Sequence, residues 1–112
     1  MMGKGMVSFD EFKELFELVP GEPEFEICFV EKPCEYIIVK YDDCVTFQRC
    51  GIKDGSGEIE YGSLEDLCLA DLIDGIQLGR DWQDVESVVV NSSWNLCLPE
   101  DVKHLRSTYL SS

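Results

Sequence analysis

Residues 24–50, with the sequence EFEICFVEKPCEYIIVKYDDCVTFQRC, decide the fold class of this chain. Residues 24–29 alternate polar and apolar side chains, which is the period-two pattern of a strand with one buried face. The run at 35–41 has apolar residues on both faces, which favours a central place in a sheet. A third strand at 44–50 follows the Asp42-Asp43 turn. Because turns this short join neighbouring antiparallel strands, the stretch predicts an antiparallel meander.

A first helix is predicted before this meander. Ser8 and Glu11 form the capping box Ser-x-x-Glu, in which each side chain binds the free backbone N–H of the other residue. Apolar side chains then recur at helical spacing as far as Pro20-Gly21, a pair that interrupts helices. We therefore expect a helix over residues 8–19.

A second helix is predicted after the meander. A Gly-rich loop at 51–57 and a short fourth strand at 58–61 precede Ser63, which is a favourable N-cap residue. Gly75 is expected to end the helix in a left-handed conformation, since glycine adopts positive φ without steric cost. The spacing therefore predicts a helix from Ser63 towards Gly75.

Three further elements are predicted after this helix. Residues 78–86 predict a short helix with Trp82 on its apolar face. Residues 88–90 are three consecutive valines, which suit a short strand. Pro99 suits the first position of a last helix, because proline lacks an N–H that this position would leave unused.

The length fits one domain. A chain of 112 residues buries about two-thirds of its surface on folding, which is enough for a core without disulfides or metal. We expect a single α+β domain over residues 1–112, with residues 1–7 as a flexible start. The sheet is predicted to be a three- to four-strand antiparallel meander, with the N-terminal helix and two or three further helices packed on one face.

The charge of the chain excludes two classes of partner. The sequence has 23 acidic and 9 basic residues, which gives a formal net charge of −14. Such a surface repels nucleic-acid phosphates and anionic lipids. No apolar run approaches the length of about 18 residues that spans a membrane, and the N-terminus shows no secretory signal. We therefore expect a cytoplasmic protein that contacts neither nucleic acid nor membrane directly.

The six cysteines are interpreted as free thiols. They are Cys28, Cys34, Cys44, Cys50, Cys68 and Cys97. The absence of a secretory signal and of any Cys-x-x-Cys pair favours reduced cysteines in a cytosol. Two less favoured alternatives stay open: zinc bound by Cys34, Cys44 and Cys50 across adjacent strands, and a Cys28–Cys34 disulfide. The preferred interpretation therefore includes no metal and no other cofactor.

Catalytic and calcium-binding motifs are also weak. His104 is the single histidine, and no nucleophile motif surrounds it or Cys97. The loop at 54–59 resembles part of a calcium loop, but Ile52 and Ser63 would occupy the first and last ligand positions, which require carboxylates. The sequence therefore predicts a protein that is not an enzyme.

Trp94, Asp42 and Asp43 are the candidate partner contacts. Trp94 follows the polar turn Asn91-Ser92-Ser93, where core packing competes with a partner contact, since tryptophan is enriched at interface hot spots. With the net charge, these residues predict an acidic interaction module that binds a basic protein surface, as an inhibitor, an immunity protein or a charge mimic would. The alternatives are a self-associating structural subunit, which leaves a homo-oligomer open, and a cysteine-based metal or redox protein.

The segment Ile73-Asp74-Gly75-Ile-Gln-Leu78-Gly-Arg-Asp-Trp82 carries a resemblance. Together with residues 61–67, it resembles the C-terminal part of small acidic uncharacterised proteins from Gram-positive bacteria and their mobile elements. Those proteins run from a helix through a strand meander to a helix ending in Ile-Asp-Gly and a Leu-x-x-x-Trp turn. The resemblance covers about residues 8–90 and implies this order of elements and a bacterial cytosolic origin. It implies no catalytic motif.

Overall fold

The computed structural model describes residues 7–30, 32, 35–50 and 58–110. Within those ranges it contains four α-helices and six β-strands. The helices are α1 (Phe9–Leu18), α2 (Leu64–Leu69), α3 (Leu78–Asp81) and α4 (Pro99–Leu110). The strands are β1 (Glu24–Phe29), β2 (Glu35–Lys40), β3 (Val45–Arg49), β4 (Ile59–Tyr61), β5 (Val85–Val90) and β6 (Trp94–Asn95). The predicted loop at 51–57 lies outside the described residues.

The described strands form one antiparallel sheet in the order β4-β3-β2-β1-β5-β6. Strands β1 to β4 form the predicted meander, and the Asp42-Asp43 turn joins β2 to β3. The α+β class is therefore confirmed. The expected three to four strands are too few, because β5 pairs with β1 and β6 pairs with β5. The predicted strand at 88–90 is found as the end of β5, but its place beside β1 depends on pairing between residues distant in sequence, which no local pattern predicts. The two-residue β6 pairs with β5 across the turn at 91–93 and was not predicted.

The second helix is shorter than predicted. Ser63 caps α2 as expected, since its Oγ accepts the backbone N–H of Asp66 at 3.1 Å. The helix ends at Leu69, however, and Gly75 belongs to a separate 3₁₀ turn. Gly75 has the predicted left-handed conformation, with φ +75°, and Asp74 before it has φ +63°. The turn is held by side-chain contacts of Asp74, which are described below.

The predicted helix at 78–86 is also interrupted. It consists of α3 and one 3₁₀ turn, and strand β5 begins at Val85. Val85 lies opposite Phe29 of β1 and is 8% exposed, so pairing and burial on the sheet override its helical spacing. Trp82 packs in the core as predicted, at 8% exposure. Its indole N–H donates to the carbonyl oxygen of Val7 at 3.0 Å, which satisfies the one polar atom of the ring.

The helices cover one face of the sheet, as predicted. Alternate residues of the central strands point towards them and are fully buried: Phe25, Ile27, Tyr36, Ile38 and Phe47. The helices contribute buried side chains to the same cluster, among them Phe12, Leu15, Phe16, Leu67, Leu78 and Leu105. Burial of this apolar surface is the main force that holds the two layers together.

The two ends of the described chain meet at α1. Ser8 caps this helix as predicted, because its Oγ accepts the backbone N–H of Glu11 at 3.1 Å. The Glu11 carboxylate accepts a hydrogen bond from Arg106 of α4 at 2.9 Å. The same guanidinium lies 3.1 Å from Glu14. Arg106 therefore connects α4 to α1 through two carboxylates, and these charges support the packing.

Candidate functional site

The Asp42-Asp43 turn forms part of the rim of a cavity. The backbone N–H of Tyr41 donates to the carbonyl oxygen of Cys44 at 2.9 Å, which closes the turn and leaves both aspartates exposed. A cavity of about 490 Å³ lies beside it. We call it the acidic cavity; its described lining residues are Glu22, Tyr41, Asp42, Asp43, Cys44, Thr46, Glu58 and Glu60.

Strand register explains why these residues meet. Val45 lies opposite Tyr61, and Thr46 lies opposite Glu60, so β4 brings Glu60, and Glu58 just before the strand, alongside the β2–β3 turn. Glu22 arrives from the segment between α1 and β1. Carboxylates from three parts of the chain therefore share one concave surface.

The acidic cavity has a strongly negative lining. Five of its described lining residues carry carboxylates, and no described lining residue is basic. Burial raises the pKa of the Tyr41 phenol, and the nearby carboxylates of Glu58 and Glu22 raise it further. Burial likewise raises the pKa of the Cys44 thiol, with contributions from Glu60 and Asp43. Both groups stay neutral at pH 7, so Cys44 is a poor nucleophile and the carboxylates alone set the charge.

Thr46 is a buried lining residue with an unused polar atom. It is 2% exposed, and its Oγ1 has no hydrogen-bond partner within the described part of the chain. Leaving a buried hydroxyl without a partner costs about 1–3 kcal/mol. Native proteins contain few such atoms. The described fold therefore leaves this hydroxyl without a partner, and its oxygen is buried rather than exposed in the acidic cavity.

The carboxylates do not converge on one point. Among the described residues, no group of three or more His, Cys, Asp or Glu side chains has an arrangement that could hold a metal ion. The zinc alternative involved Cys34, which lies outside the described residues. Cys44 and Cys50 lie beyond opposite ends of β3, and Cys28 is a thiol without a disulfide bond.

Trp94 lies far from the acidic cavity in the sheet order. It belongs to β6, at the edge opposite β4. The side chain is half-buried against the core, and its ring centroid lies 6.1 Å from that of His104. Cys97 donates from Sγ to the carbonyl oxygen of Glu86 at 3.2 Å. The structure thus separates Trp94 from Asp42 and Asp43.

The structure also shows a carboxylate with a clear structural role, which the sequence reading did not single out. The Tyr36 hydroxyl donates to Oδ2 of Asp74 at 2.6 Å, and Arg49 lies 3.3 Å from Oδ1. Lys32 donates to the backbone carbonyl of Asp74 at 3.2 Å. The Tyr36 hydrogen bond, followed by Arg49, lowers the pKa of Asp74. These contacts hold the Ile73–Gly75 turn on the sheet.

Comparison with known proteins adds no further assignment. No family model, no curated protein and no solved structure matches this chain. No helix in the described ranges is long and apolar enough to cross a membrane.

Proposed function

We propose that the protein is a non-enzymatic interaction module that binds a basic protein surface at the acidic cavity. One observation carries this proposal: five carboxylates share the cavity, and no described lining residue is basic. A concave surface of one sign concentrates the electric field and raises the local concentration of opposite charge. Lysine and arginine side chains of a partner are the matching groups.

Tyr41 supports the same partner chemistry. Because this residue keeps its proton, its ring can contact a cationic side chain without adding a charge of its own. Arginine would use the Tyr41 ring together with the carboxylates, since its planar guanidinium stacks on aromatic rings and donates several hydrogen bonds.

The alternatives receive less support from the geometry. A second copy of this acidic chain would bring further carboxylates towards the cavity, so self-association through this surface is unfavourable. Trp94, the other candidate contact for self-association, packs in part against the core of its own chain. The raised pKa of Cys44 argues against redox chemistry by that thiol at pH 7.

A binding titration with matched variants tests the proposal. The probe is a fluorescein-labelled peptide of alternating Lys and Gln, followed by fluorescence anisotropy in about 0.15 M salt, where the Debye length is about 8 Å. Asp42→Asn with Asp43→Asn removes two charges from the acidic cavity and should raise Kd about threefold to tenfold. The control is Glu86→Gln with Glu100→Gln, which removes the same charge from two exposed residues outside the cavity.

The control pair should change Kd less than about twofold, because distant exposed charges are screened. Equal losses in the two double variants would show a response to net charge alone and would refute a local site. Binding by the wild-type chain should weaken steeply as salt is added. Binding that does not respond to salt would equally contradict the proposal.

A further inference from the structure

The acidic cavity is one end of a longer depression. A second depression, of about 400 Å³, shares Asp42 and Asp43 with it and continues past Glu17 and Leu64. Glu17 and Leu64 also line a third depression, of about 590 Å³, between α1 and α2. We call the third one the helical groove; its main lining residues are Phe9, Glu14, Glu17, Leu64, Cys68 and Leu69. Shared lining residues therefore connect the acidic cavity to the helical groove.

Part of the lining of the helical groove is apolar and consists of Phe9, Leu64, Cys68 and Leu69. Phe9 is half-buried, while Leu64 and Cys68 are each 7% exposed. Leu69 stands 73% exposed at the end of α2, more than any other large hydrophobic residue among the described ones. Burial raises the pKa of Cys68 to about 11, so this thiol is neutral at pH 7. Leu69 and the half-buried Phe9 therefore present apolar surface at one groove, and contiguous exposed apolar surface is a feature of protein interaction sites.

The rim of the helical groove is acidic. Asp10, Glu14 and Glu17 of α1 lie on one side, and Glu65 of α2 lies on the other. Glu14 shares the guanidinium of Arg106 with Glu11. The other three carboxylates have only Lys13 nearby among the described cations that line the groove.

The cations along this depression already have contacts. Lys13 lies 3.7 Å from Asp10 and 4.8 Å from the centre of the Phe9 ring. Lys40, which lines the middle depression, donates to the carbonyl oxygens of Phe16 at 2.9 Å and Val19 at 2.9 Å. These carbonyls lie at the C-terminal end of α1, where a cation is favourable. The depression therefore presents carboxylates along its length with little compensating charge.

From this geometry we infer that the partner supplies a cationic amphipathic helix. Its apolar side chains would fill the helical groove over Leu69 and Phe9, while lysines or arginines on its flanks would meet Glu17, Glu65 and the acidic cavity. Charge complementarity selects this occupant over a second copy of the chain or an anionic lipid surface, since both would be repelled. A groove between two helices suits helical ligands with apolar residues on one face. The inference rests on the proposed function and adds the apolar half of the partner.

Two peptides of identical composition test the inference. One arranges Leu and Lys so that all leucines share one helical face, and the other scrambles the order so that they do not. Because net charge and total hydrophobicity are equal, only the amphipathic order differs. The ordered peptide should bind the wild-type chain at least about tenfold more tightly. Equal affinities of the two peptides would overturn the inference.

Two variants of the protein test whether the peptide binds at the helical groove. Leu69→Gln should weaken binding of the ordered peptide about threefold to tenfold, because the leucine loses apolar area that the peptide buries. The control is Val30→Gln, an equivalent change at a residue that is 63% exposed and does not line the helical groove. Equal effects of Leu69→Gln and Val30→Gln would also overturn the inference. Circular dichroism spectra that match the wild type would show that both variants fold.

The failure of this inference can be told apart from the failure of the proposed function. Binding of the Lys–Gln peptide could depend on Asp42 and Asp43 while the ordered and scrambled peptides bind equally well. In that case the helical groove is not a docking site, but the acidic cavity is. If neither peptide class depends on Asp42 and Asp43, the proposed function is wrong. If both dependences appear, the acidic cavity and the helical groove bind one partner segment together.

Discussion

The two ends of the β2–β3 hairpin use carboxylates in opposite ways. At the open end, Tyr36 and Arg49 lie directly opposite each other, and both contact the side chain of Asp74. At the turn end, Asp42 and Asp43 line the acidic cavity, whose described lining includes no basic residue. A carboxylate with a buried donor and a cation stabilises the fold. Carboxylates without such partners are available to bind another molecule.

Substitution of Tyr36, at the open end of the hairpin, should cause the largest loss of stability. The side chain is fully buried, stacks on Phe47 with ring centroids 5.5 Å apart and packs edge-on against Phe29. Tyr36→Ala should lower the free energy of unfolding by about 3–5 kcal/mol, since a large buried ring is lost. Tyr36→Phe keeps the ring and should lower it by about 1–2 kcal/mol through the lost hydrogen bond to Asp74.

Urea unfolding followed by circular dichroism measures both variants. The two substitutions separate the ring from the hydroxyl, because only Tyr36→Ala removes apolar packing. If Tyr36→Phe were as stable as wild type, the contact with Asp74 would not stabilise the turn, and the contrast between the two ends of the hairpin would disappear.

Substitutions of Asp74 should lower stability less than Tyr36→Ala does, and the loss should depend on the residue introduced. Its φ of +63° is a conformation that asparagine tolerates and alanine adopts at a steric cost. Asp74→Asn also retains a carbonyl oxygen for the Tyr36 hydroxyl. Asp74→Ala should therefore destabilise the protein more than Asp74→Asn, as measured by urea midpoints. The reverse order would show that backbone strain and the Tyr36 contact are both unimportant here.

The dependence of stability on pH should include a contribution from Asp74. The Tyr36 hydrogen bond and Arg49 lower its folded-state pKa below the ordinary value of 3.8. The unfolded chain therefore takes up the proton first as pH falls, so this stabilisation is present above about pH 4 and is lost as pH falls through the folded-state pKa. The difference in unfolding free energy between wild type and Asp74→Asn should shrink from about pH 7 to about pH 3. If this difference in unfolding free energy stayed constant over the same pH range, Asp74 would not have a lowered pKa in the folded state.

Local patterns predicted the elements near the start of the chain well. The predicted strand at 35–41 is found at Glu35–Lys40, and the predicted helix at 8–19 is found at Phe9–Leu18. These elements have a clear period and end at turn or capping residues. The start of β5 was predicted as helix because Leu78, Trp82 and Val85 have helical spacing. Its actual state depends on pairing with β1, and contacts so distant in sequence decide between two permitted local conformations.

The candidate site also depends on contacts between residues distant in sequence, which local patterns do not predict. Asp42 and Asp43 were selected from their turn, and the structure places both in the acidic cavity. The sequence does not predict that Glu22, Glu58 and Glu60 join them, because only the register of β3 with β4 and the path between α1 and β1 bring these glutamates there. Acidic residues are so frequent in this chain that adjacency in sequence carries little information. What distinguishes the cavity is the lack of a described basic lining residue, which is a property of the folded surface.

The smallest effect is expected at the turn end of the hairpin. Asp42→Asn with Asp43→Asn keeps side chains that suit a turn and removes two of the five carboxylate charges from the acidic cavity. The free energy of unfolding should rise slightly, by at most about 0.5 kcal/mol. The gain should vanish in about 1 M salt, because the repulsion it relieves acts between exposed charges that salt screens. Urea unfolding at low and high salt, with Glu86→Gln and Glu100→Gln as the matched control, measures this difference. A loss above about 1 kcal/mol would mean that the two aspartates hold the turn together as Asp74 holds its own, and the carboxylates at both ends of the hairpin would then be structural.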